Sequence, residues 1–84
     1  MNHYLIIYRS VTHAQLAAKR LSRAGIVNQL QRTPAGLTER GCSYALRVPE
    51  RMATAAIEEL RDFSPRYYRI FAQAGGEYRE VGTS

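Results

Sequence analysis

The chain has one cysteine, no tryptophan and only three prolines in 84 residues. A single cysteine cannot close an internal disulfide or build a Cys-rich zinc module, so both of those routes to a stable small protein are excluded. Long apolar runs are missing too. The longest, Tyr4-Leu5-Ile6-Ile7-Tyr8, has five residues, too few for a membrane-spanning helix or the apolar stretch of a secretory signal. A soluble cytoplasmic protein with a free thiol and no membrane partner is the expectation. The sequence also has no Gly-rich phosphate loop, no His/Asp/Glu set at metal spacing and no serine nucleophile elbow, so no cofactor and no metal are expected.

Lysine is nearly absent: eleven of the twelve basic residues are arginine, and the net charge is +5. Arginine suits flat, bidentate contacts to carboxylate or phosphate. The arginines are spread along the chain without a basic block, so charge alone is a weak argument for nucleic acid.

Hydrophobic residues make up 45 % and charged residues 23 %, ordinary values for a globular domain. At this length folding buries about 60–65 % of the surface of the unfolded chain. One domain over residues 1–84 is expected, with its core in 4–73 and with 74–84 as a hairpin extension or tail.

Tyr4-Leu5-Ile6-Ile7-Tyr8 reads as a central strand buried on both faces. A helix follows, with Thr12 and Gln15 at capping-box spacing and Ser10 as the competing N-cap. Ala14, Ala17, Ala18, Leu21 and Ala24 form its packed face and Gly25 ends it. Residues 26–32 alternate weakly, as an edge strand does, and residues 33–41 form a long loop. In Tyr44-Ala45-Leu46-Arg47-Val48 the residues Tyr44, Leu46 and Val48 share one face. Pro49-Glu50 opens a second helix striped by Met52, Ala53, Ala56, Ile57, Leu60 and Phe63, which Ser64-Pro65 stops. A last strand covers residues 67–72. Gly75-Gly76 marks a tight turn that leaves room for a short fifth strand at Tyr78-Arg79-Glu80-Val81 before a frayed end.

The order β-α-β-β-α-β packs most simply as a ferredoxin-like α+β two-layer sandwich, an antiparallel sheet with both helices on one face. That topology brings the loop carrying Gly41-Cys42-Ser43 to the sheet end where Ser10, Thr12 and His13 open the first helix, and near Arg66. A helix N-terminus or a nearby cation lowers a thiol pKa and makes its sulfur a nucleophile. Each of these residues also has a plain structural reading: Cys42 as a small buried hydrophobe, Ser10 and Thr12 as caps, His13 as a solvated helix-start residue.

The chain resembles a small bacterial family once catalogued as a domain of unknown function and now called the putative Se/S carrier protein-like family. The resemblance runs over residues 4–71. It rests on Tyr4-Leu5-Ile6-Ile7-Tyr8 with Ser10, on His13-Ala14, Ala24-Gly25-Ile26 and Thr33-Pro34, and on Cys42-Ser43-Tyr44-Ala45-Leu46-Arg47. The family pattern has glycine directly after the cysteine, where this chain has Ser43 with Gly41 in front. The resemblance implies that Cys42 carries selenium or sulfur, with His13, Ser10 and Thr12 as thiolate-stabilising neighbours, Gly41 and Ser43 shaping the loop, and sulfur or selenium donor and acceptor proteins as partners. Two other classes fit the residues: an RNA-binding or interaction module that stacks ligands on Tyr67, Arg69, Phe71 and Arg47 across the open sheet face, and a subunit that pairs through that face as a homodimer.

Overall fold

The computed structural model describes residues 2–38, 43–63 and 66–83, with side chains as far as Val81. The elements are β1 (His3–Tyr8), α1 (Val11–Arg23), β2 (Gln29–Arg32), β3 (Tyr44–Pro49), α2 (Glu50–Leu60), β4 (Arg69–Ala74) and β5 (Glu77–Thr83). All strand pairs are antiparallel, in the order β2-β3-β1-β4-β5. This is the expected ferredoxin-like sandwich with a fifth strand added beside β4.

β1 is central because it carries no charged side chain and is mostly apolar: Leu5, Ile6, Ile7 and Tyr8 are all fully buried. Alternation sends Ile6 and Tyr8 toward the helices, where they meet Leu46, Val48 and Ile70 from the sheet and Ala14, Ala17, Leu21, Ala53, Ala56 and Leu60 from the helices. Each large aliphatic side chain buried this way contributes about 1.5–3 kcal/mol. The alanines let both helices lie close on the sheet.

Ser10, not Thr12, caps α1: its backbone is extended and its Oγ accepts the His13 N–H at 3.2 Å. At the other end Ile26 N–H donates to the Leu21 carbonyl at 2.9 Å and Gly25 N–H to the Ser22 carbonyl at 3.1 Å, with Gly25 at φ +78°. This is a Schellman closure, and it buries Ile26 beside Leu21. It also corrects two expectations. Ala24 is the exposed C-cap and not part of the packed face, and β2 begins at Gln29 because Ile26 is held by the helix end.

β3 alternates as expected and runs straight into α2, with Pro49 as an N-cap that offers no side-chain bond. The Asn2 carbonyl instead accepts the Glu50 N–H at 3.1 Å. α2 ends at Leu60; the Ser64-Pro65 stop lies outside the described residues. β4 starts two residues later than expected, at Arg69, and β5 extends through Gly82 and Thr83, which belong to the strand. Between them Gly75 and Gly76 have φ of 59° and 83°, the two positive values of a type I′ hairpin turn.

The face away from the helices is not bare. Leu5, Ile7, Ala45 and Phe71 are buried there under Leu37 of the β2–β3 loop, Tyr68 and Tyr78. Tyr67 packs against the cluster on the helix side instead. The expected stacking platform of Tyr67, Arg69, Phe71 and Arg47 on one open face is therefore not formed: Tyr67 lies on the other side and Phe71 is only 7 % exposed.

Candidate functional site

The topology gathers one set of ends: the C-terminus of β1, the N-terminus of α1, the β2–β3 connection and the start of β4. Tyr8 is opposite Tyr44, Arg32 is opposite Tyr44 on the other side, and Arg69 is opposite Ile7. Cys42 and Gly41 lie outside the described residues. Their neighbour Ser43 does not, and it is a fixed point. It is 7 % exposed, its carbonyl accepts the Thr33 N–H at 3.1 Å, and its Oγ is 3.2 Å from Thr38 Oγ1. These two contacts close the loop onto β3.

Of the other site candidates, Ser10 is half-buried with its oxygen engaged in capping, while Thr12 and His13 are exposed on the first turn of α1. Leu37 packs on the face opposite the helices. The structure brings Ser10 and His13 together, and Ser43 with Thr33 and Thr38. Arg66 is exposed.

Two features of this sheet end were not anticipated from the sequence. The first is a set of stacked arginines: Arg9 lies 4.2 Å and Arg69 5.0 Å from the centre of the Tyr68 ring, and Arg32 lies 6.0 Å from that of Tyr44. Arg69 also faces Glu80 at 3.6 Å. The signal was available, since Arg9 directly follows β1, Arg32 closes β2 and Arg69 opens β4, positions that this topology places at one end. The second is a pair of buried hydroxyls, Tyr8 Oη and Thr33 Oγ1, with no hydrogen-bond partner among the described residues. Burial, reinforced by Tyr67, pushes the Tyr8 hydroxyl far above the ordinary tyrosine value, so it stays protonated. An unpartnered buried donor costs about 1–3 kcal/mol and is seldom left idle without a reason.

Among the described residues no group of three or more His, Cys, Asp or Glu side chains converges. No described helix is long and apolar enough to cross a membrane.

The fold and this end of the sheet define a small α+β domain with a cation-rich, polar strand terminus. The family follows from comparison: the model of the putative Se/S carrier protein-like family matches residues 3–72, and the chain belongs to that family. Cys42 lies inside the matched segment, and β5 lies beyond it. No curated protein and no solved structure matches the chain.

Proposed function

We propose that this protein is a sulfur or selenium carrier in which Cys42 holds the cargo as a persulfide or perselenide. The observation that carries the reading is family membership over a segment that includes the chain's only cysteine. The arginines stacked at the adjoining sheet end and the unpartnered hydroxyls of Tyr8 and Thr33 support it, because cations and hydrogen-bond donors favour an anionic sulfur over a neutral one.

The chemistry is thiolate exchange. The Cys42 thiolate attacks the terminal sulfur of a donor persulfide R–S–SH; the new Cys42–S–SH bond forms as the donor's S–S bond breaks, and R–S⁻ leaves. An acceptor thiolate then attacks the terminal sulfur of Cys42–S–SH, takes the SH group and releases the Cys42 thiolate. No net oxidation occurs in either step, and a selenium atom in the terminal position follows the same path. Such a carrier needs partner proteins as donor and acceptor and an accessible sulfur, but no deep cavity.

Intact-mass measurement after incubation with a low-molecular-weight persulfide tests this. The expected result is a gain of one sulfur atom per chain, reversed by dithiothreitol and absent from Cys42→Ser. An unmodified wild-type protein, or equal gain in Cys42→Ser, contradicts it.

A further inference from the structure

The +5 charge is not evenly distributed. All seven acidic residues fall after position 38, where seven arginines balance them, so the whole excess belongs to the first 38 residues, as Arg9, Lys19, Arg20, Arg23 and Arg32. β1, α1 and β2 therefore contain no carboxylate at all. The same half carries four of the five large hydrophobic side chains left exposed among the described residues: Val11, Leu16, Val27 and Leu30.

These two properties meet in a shallow groove between α1 and β2, lined by Thr12, Gln15, Leu16, Ala18, Lys19 and Leu30. Leu16 is 44 % and Leu30 37 % exposed. The groove borders the outer edge of β2, which pairs only with β3. The two sheet edges differ in how they meet water. β5 carries Glu77, Arg79 and Glu80 and a register shift, the usual devices that stop an edge from pairing. β2 is Gln29-Leu30-Gln31-Arg32, with no acid, no proline and a charge only at its end.

We propose that the α1–β2 edge docks an extended acidic segment of a partner protein, which adds to β2 as a sixth strand. Its backbone pairs with the free N–H and C=O groups of β2, an apolar side chain lies between Leu16 and Leu30, and its carboxylates face Lys19 and Arg32. Charge selects this occupant over a second copy, which would set one acid-free surface against another. RNA fits less well, since residues 9–38 contain no phenylalanine, tyrosine or tryptophan on which a base could stack. The role of this surface does not depend on Cys42 chemistry.

The test is an NMR titration of the isotopically labelled wild-type chain with a short synthetic peptide in which glutamate alternates with valine and leucine. Its lysine counterpart and single-stranded RNA serve as comparisons. The glutamate peptide should shift the amides of Gln29–Arg32 and the first two turns of α1, and bind more weakly as salt rises. The variant combining Lys19→Glu with Arg32→Glu should bind it about tenfold more weakly, and Leu16→Asp should also weaken it, both with unchanged circular dichroism because these side chains are exposed. Failure to bind at millimolar peptide, shifts at β5 instead, or indifference to the charge reversals overturns the proposal. So does tighter binding of the lysine peptide or of RNA, or the same amide shifts on concentrating the protein alone.

Discussion

The two strand–helix–strand halves share a layout and differ in almost everything else. In β1-α1-β2 the helix is closed at both ends by its own residues, Ser10 and the Gly25 turn, and the half ends in an uncovered edge strand with no acidic side chain. In β3-α2-β4 the helix starts on a proline and borrows the Asn2 carbonyl, five arginines face four acids, and β5 covers the outer strand. One half is self-sufficient and exposed, the other buttressed and mixed in charge. Within a symmetric fold, then, the surface available to partners is set by which half is left uncovered.

The sharpest way to probe that contrast is to remove one leucine from each of two neighbouring strands. Leu46 and Leu30 face each other across the β2–β3 ladder, yet Leu46 is fully buried and Leu30 is not. Leu46→Ala should cost about 2–5 kcal/mol in urea unfolding, and Leu30→Ala no more than about 0.5 kcal/mol. Similar losses would mean that the β2 edge is covered.

Next come the closures of α1. Gly25→Ala should lose about 1 kcal/mol from positive φ alone, since a Cβ there would meet no atom within 4 Å. Ser10→Ala should lose about 1 kcal/mol through the cap. If neither changes the thermal midpoint, α1 does not hold its own ends.

Tyr8 lies at the same end of the sheet as the candidate site, opposite Tyr44 of the second half. Its pKa is higher folded than unfolded, so the unfolded chain releases this proton first as pH rises. The associated stability is complete below the ordinary tyrosine value of about 10 and falls away above it. Tyr8→Phe should flatten that alkaline limb and leave stability at pH 7 unchanged or higher, because the hydroxyl has no partner among the described residues. A clear loss at pH 7 would reveal a bond to this hydroxyl. The smallest effect belongs to the pair that bridges the helices, Arg20 to Glu59 at 2.7 Å. Both side chains are partly exposed, so Arg20→Gln should cost no more than about 0.5 kcal/mol, less in high salt.

Much of this was legible in the residues. The uncharged run at Tyr4-Leu5-Ile6-Ile7-Tyr8 marks a central strand, and Gly75-Gly76 marks the hairpin that adds β5. Other features depend on tertiary choices that local pattern cannot express. Ile26 looks like a strand residue until the Schellman bond claims it. Thr12 and Ser10 offer the same cap chemistry, and the helix takes Ser10. Tyr67 and Tyr68 are interchangeable in sequence, yet one enters the helix-side core and the other is held between two arginines. The charge asymmetry was visible throughout; it lies in the position of the acids, and the even spread of arginine hides it. At the candidate site the meeting of chain ends was readable from topology, whereas the turn of Leu37 to the far face was not.

The measurement that bears most directly on the central claim is a chase of labelled sulfane sulfur. The protein is loaded from a persulfide donor, separated from it, and mixed with an acceptor thiol. The account predicts label bound at Cys42 in a one-to-one ratio and handed on to the acceptor, with Cys42→Ser neither loading nor delivering while Ser10→Ala still does both. Delivery by Cys42→Ser at the wild-type rate would contradict it.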